Sequence, residues 1–331
     1  MKPFDYHVAQ SPADAVATLA RHPEAAFLAG GTNLVDHMKL GVASPSMLVD
    51  VSRLDLAEVV ALPDGGVRIG ATARNSDLAA DPMIRAHYPV LTRALLSGAS
   101  GQLRNVATTA GNLLQRTRCV YFQDVTTPCN KRTPGTGCSA VGGYLRYHAI
   151  LGASPECVAV HPSDMAVAMC ALDAQVVIQG ADGERRVAVE DFYRLPDTEP
   201  QRDTVLSHGE LITAVEVPPA VAGAVSNYRK VRDRASYAFA LVSVAAEVAL
   251  APSREISSAR IALGGVAHKP WRARKAEEVL IGAQATEETF TAAAEAELEA
   301  AEPLPGNEFK VTLTRRALIA ELRALCGRGQ S

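Results

Sequence analysis

Four of the six cysteines lie in one stretch of 39 residues and are the first candidates for a chemical role. They have the spacing C-x9-C-x8-C-x18-C and are Cys119, Cys129, Cys138 and Cys157. Thiolates are soft ligands that suit zinc or an iron–sulphur cluster, although no C-x2-C pair is present. Disulfides or unrelated buried thiols would show the same spacing, so these interpretations stay open. Cys170 and Cys326 lie in apolar helical patterns and are predicted to be packing residues.

The residues around these cysteines are mainly basic. Residues 115–150 carry a local net charge of +4, from one acidic residue, Asp124, and five basic ones: Arg116, Arg118, Lys131, Arg132 and Arg146. A [4Fe–4S] core held by four thiolates carries a charge of −2 in its oxidised form, which nearby cations would stabilise. The charge pattern therefore favours a cluster, while a solvated basic loop would have the same composition.

Three polar segments elsewhere have the composition of a ligand-binding loop. Gly30-Gly31-Thr32-Asn33 follows a compact apolar strand, and glycines there let backbone N–H groups approach a phosphate, although an ordinary tight turn has the same residues. The second segment, residues 102–112, holds hydroxyls, amides and a glycine that suit a phosphate or a ribityl chain. The third, residues 161–164, precedes a helix that Ser163 or Asp164 would cap. The G-x-G-x-x-G and G-x-x-x-x-G-K-[ST] fingerprints are absent from the sequence.

The elements that must position these segments alternate irregularly between strand and helix. Hydrophobic periodicity and turn residues predict strands at 25–29, 47–51 and 67–73, and helices at 12–19, 34–40 and 77–96, the last interrupted at Pro82 and Pro89. After Gly111-Asn112 the periodicity lapses for about 45 residues, and a loop of more than ~15 residues is usually functional or disordered.

Regular structure is predicted to return beyond this loop. The pattern indicates a buried helix at 164–172, a hairpin of 175–179 with 185–189, and a strand at 211–217. Pro218-Pro219 then predicts a domain boundary. The rest reads as a small α+β domain, with strands at 228–231 and 261–263, an element of either type at 236–250, and helices at 270–282, 287–300 and 310–326.

Composition excludes several classes of function. With 331 residues, 48% of them hydrophobic, the chain is long enough for two domains with sizeable cores. Its net charge of −3 argues against a nucleic-acid partner. No apolar run reaches the ~18 to 20 residues of a membrane span, and the N-terminal residues lack the pattern of a signal peptide. Nucleophile-elbow and zinc-protease motifs are also missing, so no side chain is predicted to activate a substrate.

Taken together, the three segments resemble the FAD-binding subunit of the xanthine dehydrogenase and aldehyde oxidoreductase family. The resemblance rests on the ordered motifs FLAGGTNL (27–34), QLRN and TTAGN (102–112) and PSD (162–164), and continues through YRKVRDRASYA (228–238) and LGGVA (263–267). The second and third motifs nearly adjoin in most members, whereas the cysteine stretch separates them here. That insertion resembles the FAD subunit of bacterial periplasmic aldehyde oxidoreductases, which carries an additional [4Fe–4S] cluster.

The resemblance implies an α+β fold of the vanillyl-alcohol-oxidase type. It divides the chain into an FAD-binding domain at 1–219, with the cysteine-rich insertion at about 115–160, and a flavoprotein C-terminal domain at 220–331. It assigns the four clustered cysteines as [4Fe–4S] ligands, and Lys230 would reach the flavin from the C-terminal domain. No catalytic side chain is assigned beyond the flavin. The implied FAD-binding residues are Phe27, Leu28, Ala29, Gly30, Gly31, Thr32, Asn33, Leu34, Arg104, Thr108, Gly111, Asn112, Arg118, Ser163, Asp164 and Lys230.

The implied enzyme is a heterotrimer. A molybdenum-cofactor (molybdopterin) large subunit oxidises an aldehyde to a carboxylic acid, a small subunit with [2Fe–2S] clusters relays the electrons, and this chain passes them from FAD to an external acceptor. The alternatives are a medium subunit of a xanthine, carbon monoxide or 4-hydroxybenzoyl-CoA-type enzyme, a stand-alone FAD reductase, and a non-catalytic cluster-binding assembly module. The family resemblance implies a periplasmic location by co-export with a signal-bearing partner, with the cytoplasm as the alternative.

Overall fold

The computed structural model describes residues 1–327 of the chain. Within this range, strands form three separate sheets, of three, five and four strands, and helices cover or connect them. The predicted α+β class is therefore confirmed. The predicted C-terminal domain extends to residue 331, and its residues 328–331 lie outside the described part.

The first sheet is small, parallel and N-terminal. Its strands run in the order β1-β3-β2, and it packs against the amphipathic helix α1, which begins after an N-cap by the Ser11 hydroxyl. The elements are β1 (Asp5–Val8), α1 (Pro12–Arg21), β2 (Ala25–Leu28), α2 (Leu34–Leu40) and β3 (Met47–Asp50). The glycine-containing segment joins β2 to α2, as the sequence predicted.

The second sheet is antiparallel and has the order β4-β5-β8-β6-β7. The predicted helix 77–96 is three helices in the structure, because Pro82 and Pro89 each begin a new one. The elements are β4 (Val59–Ala61), β5 (Val67–Gly70), α3 (Asn75–Ala80), α4 (Pro82–His87), α5 (Pro89–Ser97), α6 (Gly101–Arg104), α7 (Thr109–Leu113), α8 (Val120–Gln123), α9 (Asp164–Ala171), β6 (Gln175–Gly180), β7 (Gly183–Ala188), α10 (Val189–Phe192) and β8 (Leu211–Val217).

The third sheet forms the C-terminal domain and has the order β12-β11-β10-β9. The ambiguous segment 236–250 contains a strand, and the predicted helix 270–282 begins instead with a short strand that pairs with β11, so tertiary pairing outweighs the local pattern there. The elements are β9 (Val225–Val231), β10 (Val242–Leu250), β11 (Ile256–Gly264), β12 (Trp271–Arg272), α11 (Arg274–Leu280), α12 (Glu287–Leu298) and α13 (Phe309–Gly327).

Helix α9 lies in a hydrophobic core that residues of both larger sheets share. Every residue from Asp164 to Ala171 is buried, and the helix contacts α5 as well as β10 and β11 of the C-terminal sheet. A helix that is apolar on all faces belongs in a core. Consequently the segment that precedes α9, residues 161–163, is fixed where the two domains meet. None of the helices within residues 1–327 is long and apolar enough to span a bilayer.

Candidate functional site

The first glycine segment packs directly on the second. A Cβ atom placed on Gly30 would lie 2.2 Å from the backbone oxygen of Val106, so only glycine permits this approach. Gly31 has a φ of +70°, in the left-handed region that favours glycine. The backbone N–H of Arg116 donates to Asn33 Oδ1 at 3.1 Å. The turn is therefore part of a built assembly, in contrast with an isolated tight turn.

Hydroxyl caps join the second and third segments. Thr108 caps α7 by accepting a hydrogen bond from the Gly111 N–H at 3.3 Å. Ser163 caps α9 and also donates its hydroxyl to Asn112 Oδ1 at 2.7 Å. The predicted cap is confirmed, and the side chain of Ser163 additionally links two segments that are 51 residues apart in the sequence.

The three segments surround one large cavity of about 730 Å³. This volume lies within the ~300–1,000 Å³ typical of cofactor and ligand sites. The wall also includes the C-terminal domain and the cysteine segment. Nine of the predicted FAD-binding residues line it: Thr32, Asn33, Arg104, Gly111, Asn112, Arg118, Ser163, Asp164 and Lys230.

The other predicted FAD-binding residues are not in the cavity wall. They lie in strand β2, in the turn that follows, at the start of α2 or at the start of α7: Phe27, Leu28, Ala29, Gly30, Gly31, Leu34 and Thr108. Gly30 contacts the second segment and Thr108 caps α7, so these two hold wall residues in position.

A buried ionic triad closes the cavity where the two domains meet. Lys230 Nζ lies 2.8 Å from Asp164 Oδ2, and Tyr228 donates its hydroxyl to Asp164 Oδ1 at 2.5 Å. Lys230 also donates to the Ser97 carbonyl at 3.1 Å. Burial first, and the Asp164 charge second, raise the pKa of Tyr228 well above its ordinary value. The positive charge expected to face a flavin is thus already balanced by a carboxylate of the third segment.

Arg118, beside the first cysteine, reaches the same cavity. Its guanidinium lies 3.0 Å from Asp36 Oδ2 and 5.3 Å from the ring centre of Phe239. These contacts link the cysteine segment to α2 and to the C-terminal domain. Arg104 instead donates to the carbonyl oxygen of Gly98 at 2.6 Å.

The four clustered cysteines line a second, much smaller cavity. All six cysteines are free, so the disulfide alternative does not hold in this structure. The backbones of Cys129 and Cys138 form an antiparallel bridge, and the four thiols share the cavity with Pro128, Asn130 and Lys131. Cys119 lines both this cavity and the large one. Within residues 1–327, no group of three or more His, Cys, Asp or Glu side chains is placed to hold a metal ion.

Burial keeps two of the four thiols, those of Cys119 and Cys157, protonated in the absence of a ligand. It raises the pKa of Cys119 to about 11 and that of Cys157 to about 12. Cys119 Sγ also lies 3.2 Å from His148 Nε2. A soft metal centre is the kind of ligand that displaces protons from such thiols.

The basic excess predicted around the cysteines is largely neutralised by distant residues. Arg116 lies 2.7 Å from Asp203, Lys131 also pairs with Asp203, and Arg146 lies 2.6 Å from Asp233. Arg132 instead donates to three backbone carbonyls, those of Tyr121, Phe122 and Thr127. The segment's own charge of +4 is therefore partly balanced in the folded chain, by carboxylates that lie far away in the sequence.

A third cavity, of about 320 Å³, adjoins the large one behind the third segment. The side chains of Gln115 and His161 are among the residues that line both cavities. His161 is buried, neither ring nitrogen has a hydrogen-bond partner in residues 1–327, and burial lowers its pKa to about 3. His161 is therefore neutral at physiological pH.

Sequence reasoning missed several residues of the large cavity. They come from outside the motifs and include Asp36, Asn75, Tyr144, Tyr147 and Phe239. Tyr144 and Tyr147 carry a weak signal, since two tyrosines follow paired glycines in a long loop. Asn75 carries none, because an asparagine after Arg74 is an ordinary start of a helix.

Comparison with known protein families matches both domains. The family described as the FAD binding domain in molybdopterin dehydrogenase matches residues 2–220, and the CO dehydrogenase flavoprotein C-terminal domain matches residues 226–322. Together these matches span nearly the whole described chain.

Two curated relatives exceed 30% identity. The aldehyde oxidoreductase FAD-binding subunit PaoB of Escherichia coli K12 is 52% identical over 329 residues, which cover 98% of this chain and 99% of that protein. The glyceraldehyde dehydrogenase medium chain of Sulfolobus acidocaldarius is 31% identical, over 84% of this chain and 81% of its own length.

Solved structures show the same fold. CO dehydrogenase from Oligotropha carboxidovorans superposes with a TM-score of 0.78 at 24% identity, over 99% of both chains. CO dehydrogenase from Hydrogenophaga pseudoflava superposes with a TM-score of 0.77 at 27% identity, again over 99% of both chains. The predicted FAD-binding fold with a flavoprotein C-terminal domain is confirmed, and the chain belongs to the FAD-binding medium subunits of the xanthine dehydrogenase, or molybdenum hydroxylase, family.

Proposed function

We propose that this chain is the FAD- and [4Fe–4S]-carrying electron-transfer subunit of a heterotrimeric, molybdenum-dependent aldehyde oxidoreductase. The observation that carries the proposal is the 730 Å³ cavity where all three motifs meet Lys230 of the C-terminal domain. The identity of 52% over the whole length of an aldehyde oxidoreductase FAD-binding subunit supports the aldehyde as the substrate class.

The residues of the large cavity fit FAD. Asn33 Nδ2 is buried and has no hydrogen-bond partner within residues 1–327, so it offers an unused donor beside the glycine segment, where a phosphate oxygen can accept. Gly111 and Asn112 supply small and polar wall positions next to it. Bound FAD would take electrons from [2Fe–2S] clusters of a partner subunit and deliver them to an external acceptor.

The chain's own part is to bind, orient and electrostatically tune the cofactor. The Ser163–Asn112 hydrogen bond holds two motifs at a fixed distance, so the cavity is formed before the cofactor enters. The Asp164–Lys230 ion pair fixes the C-terminal domain against the cavity. It contributes a balanced charge to the cavity wall instead of a free positive charge. Tyr228, with its raised pKa, remains a neutral donor to Asp164.

The donor set of the cysteine cavity suits an iron–sulphur cluster, although the side chains of residues 1–327 are not placed there to hold a metal ion. Four free thiols share one cavity, and Cys119 in its wall also faces the large cavity. The residues that would hold the cluster are Cys119, Cys129, Cys138 and Cys157, and the cluster would supply four Fe–thiolate bonds that cross-link the segment. We assign it a role in structure or assembly.

The proposed enzyme has a molybdenum-cofactor large subunit and a [2Fe–2S] small subunit as partners. The names of the relatives, which include medium chains and FAD-binding subunits, indicate multi-subunit enzymes. We place the complex in the periplasm, exported together with a signal-bearing partner. Fractionation of cells that express all three subunits, with and without the partner's signal segment, tests this location.

The decisive test is an anaerobic visible spectrum of this chain, co-expressed with its partners and then separated from them, together with released flavin, iron and sulphide per chain. We expect one FAD and, in this chain, four irons and four sulphides, as a [4Fe–4S] cluster requires. Release of FAD without iron would contradict the proposed cluster, and the FAD-binding function would still stand. Absence of both cofactors would contradict the proposed function.

A further inference from the structure

Asn75 lies in the wall of the large cavity, although none of the three motifs contains it. It is the first residue of α3 and is only 3% exposed. Its backbone N–H donates to the Ala107 carbonyl at 2.9 Å, and its neighbour Arg74 forms an isolated antiparallel bridge with Thr108. The position of Asn75 is therefore fixed against the second motif by backbone contacts on both sides.

The carboxamide oxygen of Asn75 forms no hydrogen bond in the part of the chain that the structure describes. Asn75 Oδ1 is buried and has no hydrogen-bond partner among residues 1–327. Buried polar atoms without a partner are rare, because each loses its hydrogen bonds to water without replacement. An orphaned acceptor in the wall of a cofactor cavity therefore points to a donor on the bound molecule.

The orphaned atom of Asn75 is a hydrogen-bond acceptor, whereas that of Asn33 is a donor. The free atom of Asn33 is an amide nitrogen, which suits a phosphate oxygen. The free atom of Asn75 is an oxygen, which a phosphate cannot satisfy because an ionised phosphate carries acceptors only. FAD carries suitable donors in the hydroxyls of its sugar chains and in the N–H groups of its rings.

We propose that Asn75 is a cofactor-positioning residue whose Oδ1 accepts a hydrogen bond from an O–H or N–H group of bound FAD. The inference rests on the FAD-binding function proposed above and adds a binding residue outside the family's motifs. The hydrogen bond orients FAD in the cavity and takes no part in electron transfer.

Asn75→Ala in the complete chain tests the proposal through FAD affinity and the stability of the apoprotein. We expect the dissociation constant for FAD to rise about tenfold, which corresponds to about 1.4 kcal/mol. The melting temperature of the apoprotein should stay the same, because the deleted oxygen has no partner there. Thr72→Val is the matched control, since Thr72 Oγ1 is also buried without a partner among the described residues but Thr72 is not in the cavity wall.

Two results would overturn the proposal. One is FAD binding by the Asn75→Ala protein within twofold of the unchanged chain. The other is a lower melting temperature of the apoprotein with unchanged FAD affinity, which would give the amide a structural role. Asn75→Ser serves if the alanine variant does not fold. Absence of FAD binding by the unchanged chain would instead contradict the proposed function itself.

A cofactor analogue identifies the donor. FAD methylated at N3 lacks the ring N–H, and its affinity is compared with that of FAD in both proteins. If methylation weakens binding to the unchanged chain and has no effect on Asn75→Ala, the ring N–H is the donor. If methylation has the same effect on both proteins while Asn75→Ala still weakens FAD binding, the donor is a sugar hydroxyl or the adenine amino group.

Discussion

The large cavity and the cysteine cavity adjoin at Cys119, yet they are built in different ways. Each motif of the large cavity is shaped by short-range devices, a glycine turn and hydroxyl caps at the starts of α7 and α9, and contacts such as that of Ser163 with Asn112 then join the motifs. The cysteine cavity depends on contacts with remote parts of the chain, such as that of Lys131 with Asp203. A short-range device leaves a mark in the local sequence, whereas a remote contact does not.

The largest expected effect comes from Gly30, where the large cavity depends on a single missing Cβ. Gly30→Ala places that atom 2.2 Å from the Val106 carbonyl oxygen, so one of the two backbones must move. We expect a loss of FAD affinity of roughly 100-fold, in line with the upper cost of overpacking. Released flavin per chain and a binding titration measure it.

Gly101→Ala is the matched control for this change. A Cβ there meets nothing within 4 Å, so FAD content and stability should remain as they are. Normal FAD binding by Gly30→Ala would show that the contact between the first two motifs is not needed for the cavity.

The second prediction concerns the cysteine cavity. Cys129 is buried, and its backbone is bridged to Cys138. Cys129→Ser should remove the bound iron and abolish assembly with the partners or retention of FAD, because the segment loses its cross-link. Iron analysis and size-exclusion chromatography of the co-expressed subunits measure this.

Cys326→Ser is the control, since Cys326 is equally buried in α13 but does not line the cysteine cavity. It should retain iron and assembly. An intact complex of Cys129→Ser with full turnover would refute the structural role of the cluster.

How much of the structure the sequence predicts depends on the same difference between short-range and remote contacts. The strand before Gly30 and the cap by Ser163 were predicted because each depends on neighbours within a few residues. The segment 270–282 was wrong in its first part, since β12 forms only by pairing with β11. The charge of the cysteine segment follows from the sequence, but its pairing with Asp203 and Asp233 does not, because both carboxylates lie outside the segment. Asn75 could not be found, as an orphaned oxygen is visible only in three dimensions.

The third prediction tests how the cysteine segment is fastened to the C-terminal domain. Lys310 is fully buried and donates to the carbonyl oxygens of His148 and Gly265, and Asn307 Nδ2 donates to that of Ala149 at 3.0 Å. Burial lowers the pKa of Lys310 to about 7. The folded state then binds fewer protons than the unfolded state between pH 7 and about 10.5.

Folding stability should therefore rise with pH across this window, by up to about 1.4 kcal/mol per pH unit. Lys310→Met should remove that slope, and Lys275→Met, at an exposed position of α11, should keep it. Denaturant unfolding of the complete chain at pH 7 and pH 9 measures the difference. An unchanged slope in Lys310→Met would show that the lowered pKa of Lys310 is not the source of the pH dependence.

We expect the smallest effect from an exposed ion pair between the cysteine segment and the C-terminal domain. Arg146 of the cysteine segment lies 2.6 Å from Asp233 of the C-terminal domain, and both side chains are more than a third exposed. Exposed ion pairs contribute only ~0.2–1 kcal/mol and are screened by salt. A double-mutant cycle with Arg146→Gln and Asp233→Asn should therefore give a coupling energy in this range that vanishes near 1 M salt. If the coupling energy instead persisted at high salt, the exposed pair would hold the cysteine segment on the C-terminal domain as the buried Lys310 does. The contrast between a strong buried contact and a weak surface contact would then be wrong.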